Sequence, residues 1–426
     1  MANPRALGLA PAMVLQRIEA QQLIPGRGEP IRDAVVVLDD GEISYAGPAA
    51  TAPARNSTSE NTVRAHTVMP GLWDCHAHFM GLRSADFSLL PQEGVALRAA
   101  RCVPDARAAL NAGVTSVREM GGLGIHLVHA IEEGTVEGPS VYSAGSALSA
   151  TGGHGDLHCY PVPWVTDFAH MGGELRLADG PAELAKATRE QLRRNAKVIK
   201  VFASGGVLSE VDHPIHQQLT DAELRTVVEV AGMADRVVAA HCHGKPGMMA
   251  ALEAGVRTIE HGTYLDEEVA AAMRETGAIL VPTRTVMVEL LDSKLLPEFA
   301  ANKLAAVVGI HADAIALAHS LGVRVAAGTD IGMSGSDLPS SWGRNGRELA
   351  LLVEVGFSAL EAIEAATATG PDTLGPQAPR SGQLLPGYDA DVLTLDADPL
   401  ADITVIADPT RITGVWKAGV RVKGTS

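Results

Sequence analysis

Eight short apolar segments recur through the middle of the chain, at 68–78, 116–120, 141–148, 198–204, 237–242, 258–264, 278–282 and 324–330, and amphipathic stretches separate them. Runs rich in Val, Ile and Ala without strict alternation read as strands covered on both faces, the pattern of a parallel sheet wrapped by helices. The intervening residues carry helix signals. Residues 181–195 follow Asp179-Gly180, 222–233 are amphipathic, and 266–275 place acids in the first turn, where the helix dipole favours them. Eight such units in about 300 residues are the size of a (β/α)8 barrel. A doubly wound open sheet is the competing architecture, but it calls for a glycine-rich phosphate loop after the first strand, and the sequence has none there.

The two ends of the chain read differently. Ala34-Val35-Val36-Val37-Leu38, a turn at Asp39-Asp40-Gly41-Glu42, and Ile43-Ser44-Tyr45-Ala46-Gly47 predict a hairpin; near the other end, 391–395 predicts a strand and 414–422 a hairpin turning at Ala418-Gly419. Neither piece is large enough to be stable alone. The expected organisation is therefore a small β-sandwich module built from both termini, 1–69 and 376–426, flanking a barrel at 70–375.

Composition narrows the partners. With 50 acidic against 34 basic side chains the formal net charge is -16, so a phosphate backbone or an anionic membrane surface is repelled, and nucleic acid is not an expected partner. No apolar run reads as long enough to span a bilayer. Arg5 followed by the mildly apolar stretch 6–15 has the look of a weak signal peptide, but Pro11 interrupts it and Gln16-Arg17-Ile18-Glu19 replaces a small-residue cleavage site, so a cytoplasmic location is expected. Four cysteines, Cys75, Cys102, Cys159 and Cys242, are too few for a disulfide framework in 426 residues and are expected as free thiols.

Chemistry concentrates where the apolar segments end. The first closes on Pro70-Gly71-Leu72-Trp73-Asp74-Cys75-His76-Ala77-His78. Residues two apart on a strand share a face, so His76 and His78 can grip one cation while Cys75 and Cys242, beside the His motifs, are turned away from it. Chance alone supplies about half a His-x-His pair in a chain with this many histidines, so the motif needs company. Lys200, His241, His261 and Asp330 provide it, each near the carboxyl end of its own predicted strand, where a closed barrel gathers them at one rim. Lys200 lies in Val198-Ile199-Lys200-Val201-Phe202, where an unpaired ammonium is costly. Either an acid pairs with it, or desolvation and nearby cations keep the amine neutral enough to add carbon dioxide and become a carbamate. Asp330 could cap a following helix or handle a proton beside a metal.

Three connections, 149–180, 205–220 and 331–347, are long enough to be binding loops, and all leave the carboxyl ends of strands. The first holds Thr151-Gly152-Gly153-His154-Gly155-Asp156, whose backbone and imidazole donors could receive a carboxylate, though a glycine-rich turn needs no such role. His243 shares the strand face of His241 and reads equally as a substrate contact or as a group orienting a ligand. Arg118 and Tyr264 are weaker candidates for substrate contact. Leu157, Tyr160, Trp164, Val207, Met333 and Trp342 are candidate pocket-lining residues, with no spacing rule to choose among them.

His76-Ala77-His78, Lys200, His241, His261 and Asp330, in that order on strands one, four, five, six and eight, resemble the amidohydrolase superfamily of binuclear metal hydrolases. The terminal β module resembles it too, so the likeness covers nearly the whole chain. Thr151-Gly152-Gly153-His154-Gly155, Ala240-His241-Cys242-His243-Gly244, Ile259-Glu260-His261-Gly262-Thr263-Tyr264-Leu265-Asp266 and Gly328-Thr329-Asp330 are similar to the imidazolonepropionase-related branch that includes Xaa-Pro dipeptidases and ochratoxin-hydrolysing carboxypeptidases. Imidazolonepropionases themselves generally lack the bridging lysine and hold one metal, which counts against that activity here.

The resemblance implies two divalent metal ions. His76, His78 and Asp330 would hold one, His241 and His261 the other, with Lys200 bridging them as a carbamate. Zinc suits these imidazole and oxygen donors best, with manganese and cobalt as alternatives. Asp330 would take a proton from the attacking water and pass it to the leaving nitrogen. The expected reaction is cleavage of the amide to a C-terminal amino acid, in a dipeptide such as Xaa-Pro or an N-acyl amino acid of the ochratoxin type, so the expected partner is a small molecule with a free carboxylate. That carboxylate would be held by His154, with His243 or Arg118. A cyclic amide or lactone hydrolase is the alternative enzyme, and a non-catalytic scaffold the alternative class. Relatives of this kind often assemble, so a homo-oligomer is expected.

Overall fold

The computed structural model describes residues 15–55 and 60–424, so residues 5–14 of the leader-like stretch lie outside the described residues. The chain opens with β1 (Leu15–Leu23), β2 (Ile31–Asp39), β3 (Glu42–Pro48) and β4 (Glu60–Pro70). The barrel strands follow: β5 (Leu72–Leu82), β6 (Val114–Glu119), β7 (Ser140–Ser143), β8 (Ala147–Ser149), β9 (Leu175–Leu177), β10 (Ile199–Phe202), β11 (Val238–Cys242), β12 (Thr258–His261), β13 (Ile279–Val281), β14 (Arg324–Val325) and β15 (Ile331–Met333). The chain closes with β16 (Val392–Leu395), β17 (Ile412–Lys417) and β18 (Val420–Lys423).

Strands from both ends form one seven-stranded sheet in the order β18-β17-β16-β4-β1-β2-β3. β4 is its seam. It runs parallel to β1, with Ile18 opposite Val63, and antiparallel to β16, with Thr394 opposite Val68. Ile18, Val36, Val68, Val392 and Trp416 pack on one another with almost no exposure, the apolar face that neither terminal segment could bury alone.

The barrel is assembled from two parallel sheets, β15-β5-β6-β7 and β14-β13-β12-β11-β10-β8-β9. Backbone hydrogen bonds close it along both edges. Lys197 N donates to Ser143 O at 2.8 Å, while Cys75 N donates to Ala327 O at 2.9 Å. The third strand, expected as one run over 141–148, is two pieces with a bend at 144–146, where Gly145 has φ +73 and a Cβ would lie 2.5 Å from Gln191 Oε1. Beyond it β9, which sequence patterning had placed inside a loop, adds an edge strand parallel to β8.

The helices fall where their end signals predict. Asp221–Gly232 starts on a capping box, Thr220 Oγ1 accepting from Glu223 N and Glu223 accepting from Thr220 N. Lys245–Ala254 ends on Gly255 in the left-handed conformation (φ +91), and Glu267–Thr276 on Gly277 (φ +69). Helix Glu298–Ser320 corrects one sequence expectation, since by length and composition it could cross a membrane. Leu304, Val307, His311, Ile315 and Ala318 nevertheless bury one side of it in the protein.

Candidate active site

Strand β5 delivers His76 and His78 to the same face, and Asp330, on the turn between β14 and β15, reaches both. His78 Nε2 lies 2.9 Å and His76 Nε2 3.5 Å from Asp330 Oδ1. Asp330 caps no helix; it has φ +59 and leads directly into β15. Its N–H is tied to His76 O at 2.6 Å, which fixes the end of the eighth strand against the first. Lys200 on β10 is buried with Nζ 3.4 Å from His76 Nε2 and 5.9 Å from the centre of the Phe202 ring. His241 and His261 complete the cluster, with ring centres 4.6 Å apart, and His261 lies 5.1 Å from His76.

The imidazoles are oriented by their outer nitrogens. His76 Nδ1 pairs with Glu260 Oε2 at 2.7 Å, His78 Nδ1 with Gly121 O at 2.7 Å, His261 Nδ1 with Thr283 Oγ1 at 2.7 Å and His241 Nε2 with Gly205 O at 3.1 Å. The opposite nitrogen of each ring is thereby left for the interior, as metal-binding histidines require. Two donor sets result, His76, His261 and Asp330 in one and His241, His243 and His261 in the other, each with its donor atoms within 4.8 Å of one another. Because His261 belongs to both, the sets adjoin. The donors present therefore fit a metal centre with room for two ions, and imidazole with carboxylate suits zinc, manganese or cobalt.

Electrostatics match the geometry. Burial and the Lys200 ammonium push His76 down to about 4, and burial with neighbouring imidazoles holds His241 and His261 well below their ordinary value, so these rings offer lone pairs at neutral pH. Burial lowers Lys200 to about 8, against the opposing pull of Glu260 and Asp330. Burial would raise the Asp330 carboxyl, but His76, His78 and Lys200 override it and hold the group at about 2.

Beside the site, the ends of barrel strands carry non-glycine residues in the left-handed region, His261 (φ +70), Thr283 (φ +58) and Asp330 (φ +59). For a β-branched residue this conformation is strained, and such strain gathers at functional sites. Here Thr283 spends it on the hydrogen bond that orients His261. The left-handed turn at His261 also breaks strand alternation, which lets Glu260 and His261, adjacent in sequence, both act inside the barrel.

Glu260 and Asp74 are the supports that sequence reasoning missed. Arg118 NH2 contacts Glu260 at 2.7 and 2.9 Å, and Arg118 also donates to Cys75 O and Thr258 Oγ1. Burial would raise Glu260, but Arg118 overrides it and brings it to about 2. Arg118 is fully buried beneath His76 and does not line the cavity, so the expectation that it meets substrate is corrected. Its signal was a charged residue inside an apolar strand, with Glu260 as the acid it needed. Asp74 accepts from His76 N, Thr329 N, Thr329 Oγ1 and Asn345 Nδ2, strapping the first strand to the eighth.

Above the cluster opens a cavity that His76, His78, Lys200, His241, His261 and Asp330 all border. His154 and His243 both border it. His154 stacks on His241 with ring centres 4.4 Å apart, and His243 Nδ1 is 2.7 Å from Thr263 Oγ1. The remaining wall is mostly apolar, with Met80, Phe87, Leu157, Val207, Met287, Leu290, Leu304 and Met333 prominent, and Asp156, Glu174, Ser209 and Ser340 add polar groups to it. Three aromatic candidates and Tyr264 do not line it. Trp342 is buried in a stack on Phe79, Tyr160 is tied to Ser88 O and Gln92, Trp164 is largely exposed, and Tyr264 packs into the hydrophobic core beside the cavity. Cys75 and Cys242 are buried away from the cavity, with weak contacts to Gly370 O and Gly244 O, and burial pushes both thiols up to about 12.

A (β/α)8 barrel whose rim gathers four imidazoles, a lysine and an aspartate defines a metal-dependent hydrolase class, and residues 67–422 match the model of the Amidohydrolase family; the chain belongs to that family. It is 43% identical over 425 residues to the ochratoxinase of Aspergillus niger, covering 96% of this chain and 86% of that protein. The crystal structure of A. niger ochratoxinase superposes with a TM-score of 0.89 at 42% identity, covering 97% of this chain and 96% of that one. The structure of a prolidase complexed with N-methylphosphonate-L-proline superposes with a TM-score of 0.87 at 30% identity, covering 96% of this chain and all of that one. The imidazolonepropionase of Salinispora tropica is 30% identical over 390 residues, 86% of each chain.

Proposed function

We propose that this enzyme is a binuclear metal-dependent amidohydrolase that releases a C-terminal amino acid from an N-acyl amino acid or dipeptide. The observation that carries the reading is the convergence of His76, His78, Lys200, His241, His261 and Asp330 at the floor of an apolar cavity. His76, His78 and Asp330 would hold one divalent ion and His241 and His261 the other, zinc being the best match to the donors. Lys200 contributes as a carbamate. Its amine, lowered by burial, adds to carbon dioxide, forming an N–C bond and releasing a proton, and leaves an anion suited to two cations. When bound, such ions acidify a shared water and polarise a carbonyl.

The chain's own groups supply the rest. Asp330 is ionised at neutral pH, accepts a proton from the attacking water and, being a weak base, gives it up readily to the leaving nitrogen. The apolar wall at Met287, Leu290 and Leu304 favours a large uncharged acyl group and excludes bulk water. At the polar side His154, seconded by His243, receives the carboxylate of the leaving amino acid. A prolidase of this fold is complexed with N-methylphosphonate-L-proline and a Xaa-Pro dipeptidase holds methionine in its active site, ligands that each carry an amino-acid carboxylate, which supports this substrate class for the present chain. A homo-oligomer completes the reading and is measured by sedimentation.

The test compares N-acyl amino acids with their carboxamides, after metal loading. Removing the carboxylate's charge is expected to lower kcat/KM by orders of magnitude; equal rates would remove the anchor. The imidazolonepropionase likeness supplies a second reading, a cyclic amide hydrolase, and rates on ring substrates above those on every N-acyl amino acid would favour it.

A further inference from the structure

His154 does not stand alone in its loop. Its Nδ1 lies 2.7 Å from Ser209 Oγ, Ser209 Oγ donates to Asp212 Oδ1, and Asp212 Oδ2 accepts from Gly206 N and from Gln218 Nε2, each at 2.9 Å. Gln218 Oε1 in turn accepts from His154 N at 2.8 Å, so the links close into a ring. One cation fastens it. Lys303, from helix Glu298–Ser320, donates to Gly206 O at 3.2 Å, Ser209 O at 2.7 Å and Asp212 O, with Asp212 Oδ1 at 3.4 Å. Three carbonyls turned toward one point repel one another without a cation between them, so this curl of 206–212 depends on the ammonium. The curl in turn sets the imidazole. A Cβ on Gly206 would lie 2.0 Å from the His154 ring, which means the loop backbone is the surface the ring rests on.

We infer that Lys303 is a positioning residue for carboxylate recognition: through Asp212 and Ser209 it holds His154 in the orientation that receives the leaving amino acid. The inference rests on the proposed role of His154. Ser209, with its hydroxyl proton given to Asp212, accepts from His154 Nδ1–H and fixes the ring's rotation. Lys303 itself does not line the cavity, and its hydrogen bonds go to Gly206, Ser209 and Asp212, none of them a proposed metal donor.

The experiment uses the metal-loaded enzyme with N-benzoyl-L-phenylalanine and its carboxamide. Lys303→Met keeps the length of the stem and removes the charge; Ser209→Ala breaks the relay without disturbing the fastening; His154→Ala removes the ring. For Lys303→Met the expected result is a KM for the free acid raised about tenfold, kcat changed less than threefold, and a collapsed preference for the acid over the carboxamide. Ser209→Ala should reproduce that split, and keeps the inference testable if Lys303→Met fails to fold. Metal content and melting temperature should stay near those of the parent enzyme in whichever variant is scored. Equal losses on acid and carboxamide, or an unchanged KM, overturn the inference. If His154→Ala loses the preference while the folded Lys303 and Ser209 variants keep it, the positioning role alone fails; if His154→Ala keeps it, the anchor and the inference fall together.

Discussion

Glu260 Oε2 stands 2.7 Å from Nδ1 of His76, on the side of the ring away from Asp330. A carboxylate behind a metal-binding imidazole fixes the tautomer and sharpens the lone pair on the far nitrogen. Glu260 can do this in a buried site because Arg118 supplies the balancing charge. Glu260→Gln should keep the shape, lose the charge, and weaken metal binding about 10- to 100-fold. Competition with a chelator measures this directly; unchanged affinity would show that the pair only fills space.

Asp330→Asn preserves volume and one carbonyl oxygen but cannot accept the proton. Turnover should fall about 10²- to 10⁴-fold, the range for losing a positioned acid–base group. Melting temperature and circular dichroism should remain close to those of the parent enzyme. Retention of more than a tenth of kcat would assign the proton to another group.

Burial pushes Glu348 up to about 7, against hydrogen bonds from Thr285 and from Arg284 N that lower it. Because the folded value exceeds the ordinary 4.5, the native protein holds a proton that the unfolded chain releases between those two pH values. Stability from this group is therefore present below about pH 4.5, is lost as pH rises toward 7, and changes little beyond; the total is about 3 kcal/mol. Glu348→Gln cannot titrate. Denaturation at pH 4.5 and 7.5 should show the parent losing that amount relative to the variant, and a pH-independent difference would contradict the assignment.

Leu290 forms part of the apolar wall and is buried. Leu290→Ala should lower kcat/KM for N-benzoyl amino acids about tenfold or more, and much less for N-acetyl ones, since the lost contacts face only the larger group. Measuring the ratio of the two substrates separates a pocket effect from general damage.

Much of the site was legible because barrel strands keep their chemistry at one end. His76 and His78 could be paired from the period of two, and Lys200 singled out by its cost in Val198-Ile199-Lys200-Val201-Phe202. What alternation could not show was Glu260, because the rule assumes an extended backbone and His261 departs from it at φ +70. Arg118 was misread for a related reason. Strands in a closed barrel are staggered, so a position near the end of β6 can lie beneath the floor made by β5. The break in the third strand and the extra β9 were hidden too, since a bend at Gly145 leaves an apolar run looking continuous. The aromatic candidates failed because composition says that a ring is present in a loop and nothing about which way it packs.

β4 joins the terminal sheet to the catalytic strand across the single residue Gly71, whose N–H donates to Asp391 O at 2.9 Å. The last thirty-odd residues are thus part of the foundation on which His76 and His78 stand. A chain cut before Val392 would leave β4 without a neighbour on one side and free the anchoring end of β5, so trimming the tail is expected to loosen metal binding far from the cut. Anyone shortening this enzyme for use should take length from a loop rather than from the carboxyl end.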